Sequence, residues 1–375
     1  MGIVIPRMEV HDIEKKGWVL LYGRRKVGKT FLVRNFVKYT HYFFVERAGP
    51  ILMETDYGFK TLSYETFKTL IYELLKDEKN TVVVDEFQRL PEDFMDLLHF
   101  AKEKKAKLIL LGSSMRVLKN VLSARSPLLG LVRPIKLDLI RPSDMLKVFS
   151  NVEELVFLRD PWLIQFYEGN VRDAVKAGFA SVRGLIGEIF LEEDRELTET
   201  YEGILRALAV GNVFPKDIAS FLGKTSSDVK SFLANLLEMG LVKRIKVFGK
   251  KKWIYKIASP VIDLFYYLDT KYGISELSMD NKTFERAYAE KLPKYFEDFV
   301  RSALAEKYGG EEEVMLTPEV DVVITVRGKA VCCAEVKMKS KRRDLESLKS
   351  KTSNLDCDKL VVDANTVVSI FKKLK

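Results

Sequence analysis

Trp18-Val19-Leu20-Leu21-Tyr22-Gly23-Arg24-Arg25-Lys26-Val27-Gly28-Lys29-Thr30 decides the fold. The apolar run Trp18–Tyr22 predicts a β-strand, and Gly23–Thr30 fits G-x-x-x-x-G-K-[ST] in full. Glycines let the backbone wrap close to a phosphate, while exposed amides and the following helix N-terminus supply partial positive charge. The loop Gly23, Arg24, Arg25, Lys26, Val27, Gly28, Lys29 and Thr30 is therefore the candidate nucleotide site, with ATP as the expected ligand. Lys29 is placed to reach the β- and γ-phosphates, and the Thr30 hydroxyl to meet Mg²⁺. A chance Gly/Lys loop is the alternative, made rare by the strand before it and the helix after it.

Downstream, short apolar runs alternate with amphipathic segments. Strands are expected at Tyr42–Val45, Thr81–Asp85, Leu108–Leu111 and Ile135–Leu139, with helices at Thr30–Tyr39, Ser63–Lys76 and Pro91–Lys105. Strands separated by helices predict a parallel sheet covered on both faces. Asp85-Glu86 ends the Thr81–Val84 run. Asp85 there can hold Mg²⁺ and Glu86 can polarise an attacking water. A pair of solvated carboxylates capping a strand is the alternative. The additional strand Tyr42–Val45 suggests the P-loop class with a strand inserted between the two motifs. Ser113, after Leu108–Leu111, is either a γ-phosphate sensor or a turn residue. Arg172, in Glu168-Gly169-Asn170-Val171-Arg172, is either a lid arginine or a helix-surface one. Arg125 is a weaker candidate for an arginine finger.

Residues 143–195 carry helical patterns and no strand signal. Three helices then precede two β-like runs, Leu241–Phe248 and Lys252–Ile257, which makes a winged helix-turn-helix plausible. That hairpin holds Lys243, Arg244, Lys246, Lys250, Lys251 and Lys252 with no acidic residue, interleaved with Trp253 and Tyr255. It is the candidate DNA-backbone surface, or else a solvated charged hairpin. Beyond residue 280 a long helical stretch is expected to break at Pro293. Strands Val320–Val326 and Ala330–Val336 and a final βα pair follow. Asp321 opens one strand, and Glu335 and Lys337 lie two apart on the next, so both face the same way. Asp321 and Glu335 could hold a metal while Lys337 steadies charge, with Glu297 as a further member.

The chain has 375 residues, a net charge of +9 and three cysteines without a C-x-x-C pair, so neither a zinc site nor a disulfide framework is indicated. No apolar run is long enough for a membrane helix. Pro6 stands where a myristoylation signal beginning at Met1-Gly2 wants Ser or Thr. A cytoplasmic protein with no membrane partner is expected.

Together LLYGRRKVGKT, VVVDEFQRL, LILLGSS and SPLLG resemble the archaeal P-loop ATPase family, related to AAA+ and STAND ATPases. The resemblance implies Lys29 and Thr30 as nucleotide and metal contacts, Asp85 as the Walker B carboxylate and Glu86 as catalytic base. It likewise implies Ser113 as a sensor-1-like residue and Arg172 as a sensor-2 arginine. It implies an α/β fold: a P-loop NTPase parallel sheet (1–142), a helical lid (143–197), a winged helix-turn-helix (198–275) and a C-terminal restriction-endonuclease-like PD-(D/E)xK domain (280–375). The family's acidic–basic pair ahead of the first strand, which frames the adenine, has no clear equivalent here. The expected function is ATP binding and hydrolysis acting on DNA, with metal-dependent nuclease activity or, alternatively, an ATP-dependent switch or scaffold without cleavage. A homo-oligomer is also expected.

Overall fold

The computed structural model describes residues 3–101, 105–113, 121–193, 195–274 and 279–373. Part of the expected helix, at 102–104, and the last position of the expected final helix, Leu374, lie outside them. The chain forms two compact units. One comprises Pro6–Asp138 with Gly187–Glu196; the other comprises Met1–Ile5, Leu139–Ile186 and Leu197–Lys375. The lid, winged-helix and C-terminal segments drawn separately from the sequence thus fall almost entirely within one unit.

The first unit is built on strands β1 (Trp18–Tyr22), β2 (His41–Val45), β3 (Ile51–Thr55), β4 (Gly58–Leu62), β5 (Thr81–Asp85), β6 (Lys107–Gly112) and β7 (Val132–Lys136). Their order is β4-β3-β2-β5-β6-β1-β7. All pairings from β2 to β7 are parallel, as βα units dictate. Successive side chains point to opposite faces. Leu20, Phe43, Val82, Val84, Leu108 and Leu110 enter one core, while Val19, Leu21, Val83, Ile109 and Leu111 enter the other. Helices α1 (Glu9–Glu14), α2 (Lys29–Phe36), α3 (Tyr64–Leu74) and α4 (Asp93–Phe100) complete the unit. Ser63 starts α3 by accepting the Thr66 amide.

β2, between β1 and β5 in the chain, lies beyond β5 in the sheet, and β6 stands between β1 and β5. Two differences from the sequence reading have physical causes. The antiparallel hairpin β3–β4 went unseen, since its edge strand β4 is exposed over Gly58–Thr61 and carries no apolar alternation. The last strand lies earlier than expected, at Val132–Lys136; Pro134 within it is tolerated because β7 is an edge strand.

The second unit contains helices α5 (Pro142–Val148) and α6 (Val152–Phe157), and most of α7 (Val171–Glu192), whose end groups with the first unit. Then come α8 (Glu199–Ala209), α9 (Pro215–Leu222), α10 (Ser226–Glu238), β8 (Val242–Val247) and β9 (Trp253–Ile257). The remainder is α11 (Pro260–Tyr272), α12 (Asn281–Tyr308), β10 (Glu311–Leu316), β11 (Glu319–Val326), β12 (Lys329–Lys337), α13 (Arg342–Lys351), β13 (Asp358–Asp363) and α14 (Val367–Lys373). Contrary to expectation, α12 continues through Pro293. Burial of Phe284, Tyr288, Phe296 and Phe299 along it outweighs the one lost backbone hydrogen bond. The β8–β9 hairpin is also not separate. Its β8 pairs in parallel with β10, giving a single sheet of order β13-β12-β11-β10-β8-β9. Among the described residues no helix is long and apolar enough to cross a membrane.

Candidate functional site

The P-loop leaves β1 through Gly23, where a Cβ would lie 2.0 Å from the Leu137 carbonyl oxygen, so no side chain fits. Gly28 then takes a left-handed conformation (φ 88°) to open α2. Lys29 turns back into the loop and donates to the Gly23 and Arg24 carbonyls at 2.8 and 3.1 Å. Burial lowers its pKa to about 8, against the opposing charges of Glu86, Asp85 and Glu192.

The β5 end brings Asp85 to this loop. Its Oδ2 accepts from the Thr30 hydroxyl at 2.7 Å and from Tyr42 at 2.6 Å, and its Oδ1 from the Glu86 amide at 2.9 Å. A hydroxyl and a carboxylate side by side suit Mg²⁺, a hard cation that keeps most of its waters and needs few protein ligands. Glu86 adopts φ 58°, a conformation costly for a non-glycine residue. The turn aims its carboxylate at Ser113, whose hydroxyl donates to Glu86 Oε2 at 3.1 Å. Gln88 bridges the two, donating to Glu86 at 2.5 Å and to Ser113 at 3.1 Å. Thr30, Asp85, Glu86 and Ser113, far apart in sequence, thus converge on the phosphate loop.

Several members of this cluster carry no motif. Glu192, at the end of α7, accepts from Arg25 (2.9 Å), Arg47 (3.2 Å), Arg89 (3.3 Å) and Ser113 (3.3 Å). Burial alone would raise its pKa, but hydrogen bonding and the charges of the arginines outweigh that and lower it. No periodicity or spacing marks Glu192 in the sequence. An acidic–basic pair does stand ahead of β1, against the P-loop. Arg7 and Glu9 are buried and paired at 3.2 Å, and Arg7 donates to the Val27 carbonyl of the P-loop at 3.1 Å. The R-x-E spacing was the available signal.

Arg172 stands in the second unit, where Glu153 (2.8 Å) and Glu285 (2.5 Å) engage its guanidinium 5.0 Å above the Tyr288 ring. These partners account for its position.

In the six-stranded sheet Asp321 of β11 and Glu335 and Lys337 of β12 do meet. Lys337 bridges Asp321 (3.1 Å) and Glu335 (2.8 Å), Asp321 also accepts the Val336 amide at 2.8 Å, and Lys351 of α13 holds Glu335 at 2.7 Å. Burial raises the Asp321 pKa. Burial would raise Glu335 too, but Lys337 and Lys351 hold it low. Glu297 pairs instead with the fully buried Arg301. Among the described residues no group of three or more His, Cys, Asp or Glu side chains could hold a metal ion. Lysines and an amide engage the oxygens of Asp321 and Glu335, the pair for which a metal-ligand role is expected.

The basic hairpin is divided. Lys243 pairs with Asp298 (3.5 Å), Lys246 with the buried Glu313 (2.9 Å) and Lys256 with Asp298 (2.8 Å). These pairs hold the hairpin to neighbouring elements. Arg244 lies 4.4 Å over the Trp253 ring, and Lys250, Lys251 and Lys252 are exposed at the turn.

Residues 15–136 match the family model described as an AAA domain. An uncharacterized protein of Methanocaldococcus jannaschii is 25% identical over 325 residues, covering 77% of this chain and 73% of the relative. Among solved structures, a Walker-type ATPase of Pyrococcus abyssi superposes with a TM-score of 0.52 at 19% identity, covering 70% of this chain and 96% of that one. That likeness concerns the fold.

Proposed function

We propose that this chain binds ATP with Mg²⁺, hydrolyses it, and uses the cycle to act on DNA. The convergence of Thr30 and Asp85 with Glu86 and Ser113 at the P-loop supports this reading. The loop amides and Lys29 bind the β- and γ-phosphates. Thr30 and Asp85 would hold Mg²⁺, which when bound neutralises charge developing on the phosphates. Glu86 takes the proton of the attacking water, whose oxygen bonds to the γ-phosphorus as the bond to the β–γ bridging oxygen breaks. Ser113 and Gln88 keep the Glu86 carboxylate aimed. On the second unit, the exposed Lys250–Lys252 turn and Arg244 form the surface offered to a DNA backbone. ATP turnover with and without duplex DNA tests the whole reading. Absence of turnover under both conditions sinks the ATPase, and turnover indifferent to DNA sinks the DNA action.

A second reading, an ATP-dependent switch that binds DNA or protein and does not cleave, is favoured by Lys337 and Lys351 occupying Glu335. Incubating plasmid with protein, ATP and Mg²⁺ or Mn²⁺ separates the two. Nicking that disappears in Asp321→Ala establishes cleavage at this cluster and overturns the switch; no nicking with either metal is the result the switch predicts.

A further inference from the structure

We infer that Glu192 is an internal competitor for the γ-phosphate, so that the site discriminates nucleotide triphosphates from diphosphates by displacing this carboxylate. The inference rests on the reading that ATP binds at the P-loop. One carboxylate here gathers three guanidinium groups, Arg25 at 2.9 Å, Arg47 at 3.2 Å and Arg89 at 3.3 Å. Clustered arginines are how proteins hold a phosphate, through charge-assisted hydrogen bonds in a planar fork. The same carboxylate accepts from Ser113 (3.3 Å) and faces the Gln88 amide (3.4 Å), the two groups that also hold Glu86.

Glu192 therefore lies at the end of the site where the terminal phosphoryl group and the attacking water belong, not at the base or sugar end. A helix-terminal carboxylate that served only as an anchor would be satisfied by Arg25, which already ties the same helix through Glu188 at 2.5 Å. Arg47, whose side chain is 58% exposed, and Arg89, which also donates to the Val45 carbonyl at 2.9 Å, crowd the same oxygen. A γ-phosphate carries more charge and more acceptor oxygens than a carboxylate, so it takes these donors and frees Glu192. A diphosphate does not extend that far and leaves Glu192 in place.

The experiment measures the Kd of ATPγS and of ADP, each with Mg²⁺, for the full chain and for Glu192→Gln, which keeps shape and removes charge. Losing one charged competitor is expected to tighten ATPγS about tenfold and to leave ADP within about twofold. Equal tightening of both nucleotides, or of neither, overturns the inference. Wild-type protein that binds neither nucleotide overturns instead the ATP reading beneath it. A second readout keeps Glu192 native. Leu191, 64% exposed, is replaced (Leu191→Cys) and labelled with an environment-sensitive dye. A spectral shift with ATPγS and none with ADP is expected; no shift with either, or the same shift with both, refutes displacement.

Discussion

Tyr42→Phe removes one oxygen and little else. The ring is 1% exposed, and Phe keeps its packing, including the Arg34 guanidinium 4.5 Å above it and Tyr39 at 5.2 Å. The lost hydroxyl donates to Asp85 Oδ2 at 2.6 Å, and Asp85 is itself 1% exposed. A hydrogen bond to a charged group is worth about 1.5–3 kcal/mol. Asp85 retains Thr30 on the same oxygen at 2.7 Å and the Glu86 amide on the other at 2.9 Å, so it is not orphaned. The lower figure therefore applies: about 1.5 kcal/mol, or roughly tenfold in an opening equilibrium. Because the chain has two units, a single unfolding midpoint is not a clean measure. Amide hydrogen exchange at Val82–Val84 of β5 reports the relevant unit and should lose roughly tenfold in protection. Once Mg²⁺ engages the Thr30 hydroxyl, Tyr42 becomes the remaining side-chain donor to Asp85. The half-saturating Mg²⁺ concentration for ATP turnover should therefore rise in the same variant. Unchanged protection in β5 would mean that the Tyr42–Asp85 bond contributes no net stability, and the account of how Asp85 is held would fail.

Lys29→Ala should abolish ATP turnover, while Glu86→Gln should retain ATP and slow turnover about 10²–10⁴-fold; turnover unchanged in both, measured by phosphate release, would remove the site assignment. With its folded pKa lowered to about 8, Lys29 loses its proton as pH rises through that value, whereas bound phosphate favours the ammonium. ATP affinity should therefore fall above pH 8, and calorimetry in two buffers at higher pH should show proton uptake that Lys29→Met eliminates. Glu substitution at Lys250 and Lys251 should weaken duplex binding and reduce its salt slope, whereas Lys246→Glu should destabilise the sheet by facing the buried Glu313; fluorescence anisotropy across a salt series and thermal melts distinguish them. Lys291→Met leaves Asp263, which Lys291 contacts at 2.5 Å, buried without its ion-pair partner, and should cost about 3–5 kcal/mol in hydrogen exchange at α11.

Most of the nucleotide unit was legible because its signals are local. An apolar strand, a glycine-rich turn and a helix start are each written in a few adjacent residues, and so is the Asp85-Glu86 pair. What escaped is what depends on position in three dimensions. Glu192 joins the phosphate cluster only because α7 ends there, and no spacing rule links it to Arg25 or Ser113. The Arg7–Glu9 pair was overlooked because two charged residues before a strand look like solvated surface until burial reveals otherwise. In the second unit, residue types and strand alternation correctly placed Asp321, Glu335 and Lys337 together. They could not reveal that Lys351 arrives from α13 to hold Glu335. Nor could a run of like charges in the hairpin show that Asp298 and Glu313, more than forty residues later, neutralise part of it.

The joining of β8 to β10 has a consequence for biosynthesis. Phe248 donates to the Val314 carbonyl at 2.8 Å, and Lys246 and Val247 face Glu313 and Val314 across the strands. The ribosome therefore releases the hairpin well before the strand that covers its open edge. At about 5–20 residues per second, that edge waits several seconds with unpaired amides and carbonyls. An open edge is a template for another chain. The lysines that flank it, later neutralised by Asp298 and Glu313, are uncompensated during that interval and repel a second nascent copy. The same charges thus guard the edge before they fasten it.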